Sequence, residues 1–322
     1  MRNLNVLLVG LGGMGRVHFK NIERIEIARI VASVGMGQKD EEAAREFNLP
    51  FYPSITDAIE KHPEIDVVDI TTPTFLHKSH VMEALENGRD TICEKPLALS
   101  SSDAREMFEK AEEKNVSLNV GQVLRYTKEY KALKEVIESG RYGNVLDAEF
   151  SRLSSAPKWA QGGWLYDKSK SGLIPFDLHI HDLDMIHSLF GKPLSTKMVK
   201  RQGRDSETPE YYHMDYEYDG FTVRGEAGWL NASIPFTATW RVIFEKAVMT
   251  NDGSNVRIYP EDGDPIDVDI SYDVIISTGI NVAPTGWYYE ELKYILDSIS
   301  KNVGNLIDKR EIIEVLEQLE SM

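Results

Sequence analysis

Residues 176–186, FDLHIHDLDMI, place two histidines and three aspartates within eight positions, 177–184. Three chemistries fit that density. If 177–189 is helical, ending at Gly191, then Asp177, His181 and Asp184 stand at i, i+4 and i+7 on one face, and His179 points elsewhere. An aspartate four residues before a histidine can hold one ring nitrogen and leave the other for a substrate hydroxyl, which makes an acid–base device. The same three side chains, or an extended His-x-His, could instead chelate a metal, provided at least three ligands converge. A satisfied structural polar cluster is the third reading.

A second chemical feature is VGLGGMG at 9–15, with Gly10, Gly12 and Gly15 in G-x-G-x-x-G spacing between a strand-like and a helix-like run. The first glycine allows a tight turn, and the second lets backbone approach a pyrophosphate resting on the helix N-terminus. Gly13 and Met14 complete that loop as cofactor contacts. A dinucleotide site also expects an acid on the ribose at the end of the second strand. Here that strand runs into ASVGMGQKD (32–40), with Gly35 where the acid should be. Glycine neither accepts from the ribose hydroxyls nor repels a 2′-phosphate, and it leaves Ser33, Gln38, Lys39 and Arg16 as nearby donors. The expected cofactor is NAD or NADP, with NADP acceptance favoured by Gly35.

A third feature is DTICEKP (90–96), which sets Lys95 just past the carboxyl end of a strand, where doubly wound sheets bind ligands. Pro96 disfavours helix at Lys95 and shapes the turn that aims it. Thr72, Pro73 and His77 follow the DVVDI strand (66–70) at the same edge. A cation there can polarise an oxygen as a metal would, which tips residues 177–184 toward the acid–base reading and toward no metal.

Taken in order, GLGGMGRVH (10–18), TTPTFLH (71–77), EKPLALS (94–100) and DLHIHDLD (177–184) resemble the Gfo/Idh/MocA oxidoreductases. The resemblance implies nicotinamide-dependent hydride transfer on a sugar, cyclitol or related polyol, with Lys95, Asp177 and His181 catalytic. It makes 71–77, with Thr72, Pro73 and His77, a wall of the cofactor site, and His18 a second-rank contact. Glu94 becomes a cofactor-contacting or structural acid, and the Lys95–Pro96 bond a candidate for cis. Arg125, in GQVLRY (121–126), matches the family's interdomain arginine and joins the substrate residues. His179 departs from the glycine common at its position, so it would reach the substrate pocket or narrow it. Trp164, and with it Tyr166, Trp287 and Tyr288, are candidate sugar-stacking aromatics. In the expected oxidation His181 takes the hydroxyl proton, Asp177 orients its ring, and Lys95 stabilises charge on the oxygen. The alternatives are a hydrolase or eliminase using NAD without net redox change, and a non-catalytic regulator. Intact Lys95, Asp177 and His181 argue against the last.

The elements that must position these residues fall in two parts. Over the first ~120 residues, apolar runs at 5–10, 28–34, 66–71, 90–93 and 117–120 alternate with helical patterns, the mark of a parallel sheet built from βαβ units. Beyond a helix at 128–143 the rhythm turns to longer strands, with Asp-Gly turns at 219–220, 252–253 and 262–263. We expect an α/β protein: a Rossmann doubly wound sheet over 1–122, then an α+β substrate-binding and oligomerisation domain over 123–322 with a large, open, mostly antiparallel sheet. In 212–218, tyrosines and Met214 alternate with polar residues. With no obvious helix to cover that apolar face, it reads as an interface for a homodimer or homotetramer.

Of the 322 residues, 52 are acidic and 36 basic, for a net charge of −16 that repels nucleic acid and anionic membranes. No apolar run approaches the ~20 residues of a membrane span. The single cysteine, Cys93, excludes an internal disulfide, and MRNLNVLLVG carries no signal-peptide pattern, so the expected compartment is the cytoplasm.

Overall fold

The computed structural model describes residues 2–158, 161–202 and 209–322. Elements β1 (Leu4–Val9), α1 (Gly13–Ile22), β2 (Ala28–Val34), α2 (Gln38–Glu46), β3 (Phe51–Tyr52), α3 (Ile55–Lys61), β4 (Val67–Ile70), α4 (His77–Glu86), β5 (Asp90–Glu94), α5 (Ser101–Lys114) and β6 (Leu118–Gly121) come first. They are followed by α6 (Lys128–Ser139), β7 (Val145–Ser155), α7 (Lys168–Ser171), a π-helical turn over Pro175–His179 and α8 (Ile180–Phe190). The chain ends with β8 (Ser195–Gln202), β9 (Pro209–Glu217), β10 (Thr222–Leu230), β11 (Thr237–Phe244), β12 (Ala247–Asn251), β13 (Val256–Pro260), β14 (Ile266–Val268), α9 (Trp287–Lys301) and α10 (Lys309–Glu320).

Contacts divide the chain into two units, Met1–Val123 with Tyr272–Glu317, and Leu124–Ser271 with Gln318–Met322. Residues 272–317, placed with the second domain by the sequence pattern, therefore pack with the first. The reason is α9, whose apolar face (Leu292, Ile295, Leu296, Ile299) is buried while α9 lies against α1.

The first unit is a six-stranded parallel sheet in the order β3-β2-β1-β4-β5-β6. Its inner strands are apolar on both sides because helices cover both faces, and Leu4, Val6, Leu7, Leu8, Val67, Val68 and Ile70 are wholly buried. Each fully buried aliphatic side chain contributes roughly 1.5–3 kcal/mol. From β1 the chain runs outward one way to β2 and the other way to β4. Ligands of doubly wound sheets bind at such a switch point, beyond the carboxyl ends of the strands. Helix ends follow local chemistry: the Ser54 and Ser100 side chains cap α3 and α5, and Asn115 ends α5 in the left-handed region.

The second unit is an eight-stranded sheet, β14-β13-β12-β11-β7-β10-β9-β8, antiparallel except where β7 runs parallel to β10. Its apolar face corrects one expectation. Tyr212, Met214 and Tyr216 are buried, because the turn at 175–179 and α8 lie over that side of β10 and β7. The opposite face is polar: Glu226 accepts from Tyr211 at 2.7 Å and also from Ser151, and Arg241 pairs with Glu149 at 2.8 Å. The alternation was real, but the face it marks is covered within the chain. Among the described residues no helix is long and apolar enough to cross a membrane.

Candidate active site

In the first unit the glycine loop follows β1. Gly10 sits at φ +89°, and a Cβ there would come within 3.0 Å of the Thr72 nitrogen. A Cβ on Gly15 would lie 2.0 Å from the Gly10 oxygen, so α1 can approach the strand only if residue 15 is glycine. Gly12 is different: nothing lies within 4 Å of the space its Cβ would occupy, and no side chain caps α1. An open backbone cradle at a helix N-terminus fits a pyrophosphate. Thr71 Oγ1 donates to the Gly10 oxygen at 2.7 Å and ties this loop to the end of β4. Met14 is half-buried beside it.

Thr72 and Pro73 follow β4, and His77 opens α4. The two His77 ring nitrogens lie 2.8 Å from the Pro96 and Thr72 carbonyl oxygens. Burial pushes this imidazole's pKa down, although both carbonyls draw it up. His77 thus braces the loop after β4 against the one after β5, with its ring nitrogens taken up by main chain. The Lys95–Pro96 bond is cis, and Lys95 stands half-buried at the carboxyl end of β5.

Glu94 lies behind Lys95 in a buried cluster the sequence reading saw only in part. His18 is wholly buried, with Nδ1 2.9 Å from Asp69 Oδ2 and Nε2 3.0 Å from Glu94 Oε1. Burial alone would push the imidazole down, but the charges and hydrogen bonds of Asp69 and Glu94 outweigh it and hold the pKa well above its ordinary value. Burial likewise works against the Glu94 carboxylate, which His18 and Lys95 nonetheless bring below its usual range. Glu94 Oε2 also accepts from the Lys95 amide at 3.1 Å, so the cluster reaches the backbone of the turn that carries the lysine. Glu291 of α9 completes it, wholly buried and, among the described residues, with no hydrogen-bond partner for either carboxyl oxygen. Burial, then the charges of Glu94 and Asp69, keep its pKa well above the usual range. Sequence reasoning missed Asp69 and Glu291; an acid inside the apolar strand VVDI was the available signal.

The tip of β2 carries an acid that the sequence pattern did not place there. The space opened by Gly35 is filled by an acid from α2: a Cβ on Gly35 would lie 2.4 Å from Asp40 Cβ and 2.8 Å from Asp40 Oδ2. Three of the four expected phosphate donors are engaged elsewhere. Ser33 is wholly buried and its hydroxyl donates to the Pro50 oxygen at 3.0 Å. Arg16 pairs with Glu46 at 2.8 Å over the Phe47 ring, and Gln38 donates to Glu42 at 2.8 Å. Lys39 is exposed.

In the second unit, residues 177–184 are sorted by burial. Asp182 and Asp184 are each 1% exposed and His179 is 0% exposed, whereas Asp177 and His181 are only half-buried. Each buried member has a partner. Asp184 receives two bonds from Arg125, at 2.7 and 2.8 Å, and Asp182 two from Arg152, both 2.8 Å. His179 Nε2 meets the Tyr216 hydroxyl at 2.6 Å, and a Cβ on Gly225 would lie 2.8 Å from its ring. Burial pushes the His179 imidazole down to about 4. His179 therefore faces the sheet, against Tyr216 and Gly225. The shared stripe is altered too. Ile180 donates to the Pro175 oxygen in an i→i+5 bond, so the turn is π-helical before α8 starts, and Asp184 is bound to Arg125. Arg125, expected to meet substrate, has its Nε and one terminal nitrogen on Asp184. Among the described residues no group of three or more His, Cys, Asp or Glu side chains could hold a metal ion.

The candidate aromatics fall in both units. Trp164 is half-buried, while Tyr166 is exposed, donates to the Pro157 oxygen at 2.8 Å and sits edge-on to Trp229. Trp287 and Tyr288 start α9 in the first unit.

Comparison with known proteins agrees with this division. Residues 4–122 match a family model described as an oxidoreductase family with an NAD-binding Rossmann fold, and 130–250 one described as a GFO/IDH/MocA C-terminal domain. A levoglucosan dehydrogenase of Pseudarthrobacter phenanthrenivorans is 32% identical over 205 residues, covering 60% of this chain and 52% of the relative. A scyllo-inositol 2-dehydrogenase (NADP(+)) of Bacillus subtilis is 26% identical over 198 residues, covering 61% and 54%. The match thus spans about half the length of these curated relatives. A solved levoglucosan dehydrogenase, in complex with NADH and levoglucosan, superposes with a TM-score of 0.85 at 20% identity, covering 99% of this chain and 96% of that one.

Proposed function

The chain belongs to the Gfo/Idh/MocA oxidoreductase family, and from that premise we propose that it transfers hydride between a nicotinamide cofactor and a hydroxyl or keto carbon of a sugar, cyclitol or related polyol. The observation that carries the reading is the sorting of residues 177–184. Of five titratable side chains, three are buried, and the two only half-buried are the aspartate and histidine spaced for acid–base work. Relatives named as dehydrogenases of levoglucosan and scyllo-inositol support the substrate class.

The bound nicotinamide supplies the hydride acceptor or donor. The chain's own residues do the rest. The open backbone at Gly12 and the first turn of α1 receive the pyrophosphate. His181 takes the hydroxyl proton in the oxidation direction and returns it in reduction, with Asp177 orienting its ring. Lys95 stabilises developing negative charge on the same oxygen. The carboxylates around His18 fix the turn that presents Lys95, through the bond that the lysine amide donates to Glu94. Assembly into a homodimer or homotetramer through the eight-stranded sheet, with a cytoplasmic location, completes the proposal.

The test is turnover against a panel of sugars and cyclitols while absorbance of the reduced nicotinamide is followed. A stoichiometric change with product confirms hydride transfer; product formed without that change overturns it in favour of a reaction with no net redox.

A further inference from the structure

Building on the dinucleotide-binding reading, we propose that Asp40, reaching from the first turn of α2 over Gly35, is the carboxylate that binds the adenosine ribose, so that this chain prefers NAD to NADP. In doubly wound folds the acid that accepts from the ribose hydroxyls stands at the end of the second strand. Here residue 35, the first after β2, has no side chain, and the place its side chain would take is occupied. A Cβ on Gly35 would lie 2.4 Å from Asp40 Cβ, 2.7 Å from Cγ and 2.8 Å from Oδ2. The acid has moved five residues along the chain, and glycine at 35 makes room for it.

Two main-chain amides hold that carboxylate. Asp40 Oδ2 accepts from the Met36 amide at 2.9 Å, and Oδ1 from the Leu11 amide at 3.3 Å. Leu11 belongs to the glycine loop, so Asp40 is tied to the segment that would cradle the pyrophosphate. Each carboxylate oxygen accepts more than one bond, which leaves capacity for ribose hydroxyls. Of the donors near a 2′-phosphate, Lys39 is exposed and the others are engaged. Ser33, Arg16 and Gln38 have partners at 3.0, 2.8 and 2.8 Å. Arg45 of α2 pairs with Glu41 at 2.6 Å. Helix α2, QKDEEAARE, carries four acids against two bases. A phosphate dianion at this tip meets a carboxylate and an acidic helix, where a ribose diol meets an acceptor. This reverses the expectation that Gly35 favours NADP.

Asp40 also steadies the start of α2 through the Met36 amide, and the experiment separates that duty from ribose binding. NADH and NADPH are titrated calorimetrically into the wild type and Asp40→Asn, with melting temperatures recorded alongside. Asparagine keeps an oxygen for an amide but removes the charge. The wild type is expected to bind NADH at least about tenfold more tightly, and Asp40→Asn to shrink that ratio by about tenfold. A wild type that binds NADPH as tightly as NADH overturns the assignment. So does an Asp40→Asn protein that melts earlier with its ratio unchanged, since that is capping alone. Binding of neither nucleotide overturns the underlying dinucleotide reading instead.

Discussion

His179 and Tyr216 are joined across the second unit, ring parallel to ring within 4°, with nitrogen and hydroxyl 2.6 Å apart. Two residues on, His181 is half-buried. Neighbouring histidines of one short stretch thus differ in burial, and on the proposed reading substitution should separate their duties. His179→Asn is expected to lower stability by about 1–3 kcal/mol, the cost of a disrupted buried hydrogen bond, with kcat per folded molecule retained. His181→Asn should leave melting and nucleotide affinity in place while slowing the chemical step by ~10²–10⁴, as for a lost general base. Thermal melts and single-turnover rates decide, and the opposite pattern would reassign both residues.

Acid should weaken the second unit. Burial pushes both His179 and His187 down to about 4, against about 6.5 in an unfolded chain. Between these values the unfolded state binds the extra protons, so stability falls as pH drops through that window. At roughly 1.4 kcal/mol per pKa unit, each histidine accounts for roughly 3 kcal/mol lost by pH 4. Urea titrations of the wild type and His187→Phe between pH 7 and 4 check it: the variant should show a shallower pH dependence, and parallel curves would sink the assignment.

Glu291 should behave in the opposite sense. Its raised pKa means that the folded state keeps a proton the unfolded chain gives up above about 4.5, so stability is lost as pH rises. Glu291→Gln replaces that carboxyl with a neutral group of the same shape. The variant is expected to melt close to the wild type at pH 4 and progressively above it toward pH 8. A difference independent of pH would show that Glu291 does not carry its proton into the fold.

Gly15→Ala sets a Cβ 2.0 Å from the Gly10 oxygen, a contact relieved only by moving α1 off the sheet. We expect nucleotide affinity to fall by tenfold or more, on the order of the loss when a pre-formed phosphate cradle is distorted. Gly12→Ala, with open space around its Cβ, should fold normally and lose affinity only because its methyl group stands where a pyrophosphate would lie. Melting and nucleotide titration of both variants separate a packing glycine from a binding one; equal melting temperatures would contradict the close approach at residue 15.

Much of the first unit was legible because its signals are local. Five of its six strands lie within a residue or two of the apolar runs that announced them; only β3, two residues long, left no pattern. Gly10 at φ +89°, Gly88 at +68° and Asn115 at +54° stand where a turn or helix end calls for the left-handed region. In the second unit the strands before residue 253 were also legible, whereas β13 and β14 were not announced, and the Asp-Gly turns place Gly220, Gly253 and Gly263 at positive φ.

What the sequence by itself determined is the set of elements, the glycine loop and the residue types at the site, because backbone preference and side-chain period act over a few residues. Which polar groups pair, which face is wet and which acid stands at the tip of β2 were decided only in three dimensions. Asp69, Glu94 and Glu291 meet His18 from two strands and a helix near the far end of the chain, and no spacing rule joins them. The tyrosines of β9 alternate as a strand must, yet only the return of α8 makes their side the interior. Gly35 shows a missing carboxylate in one dimension; folding returns Asp40 to that place. Burial and charge depend on distance through space, and distance along the chain does not encode it.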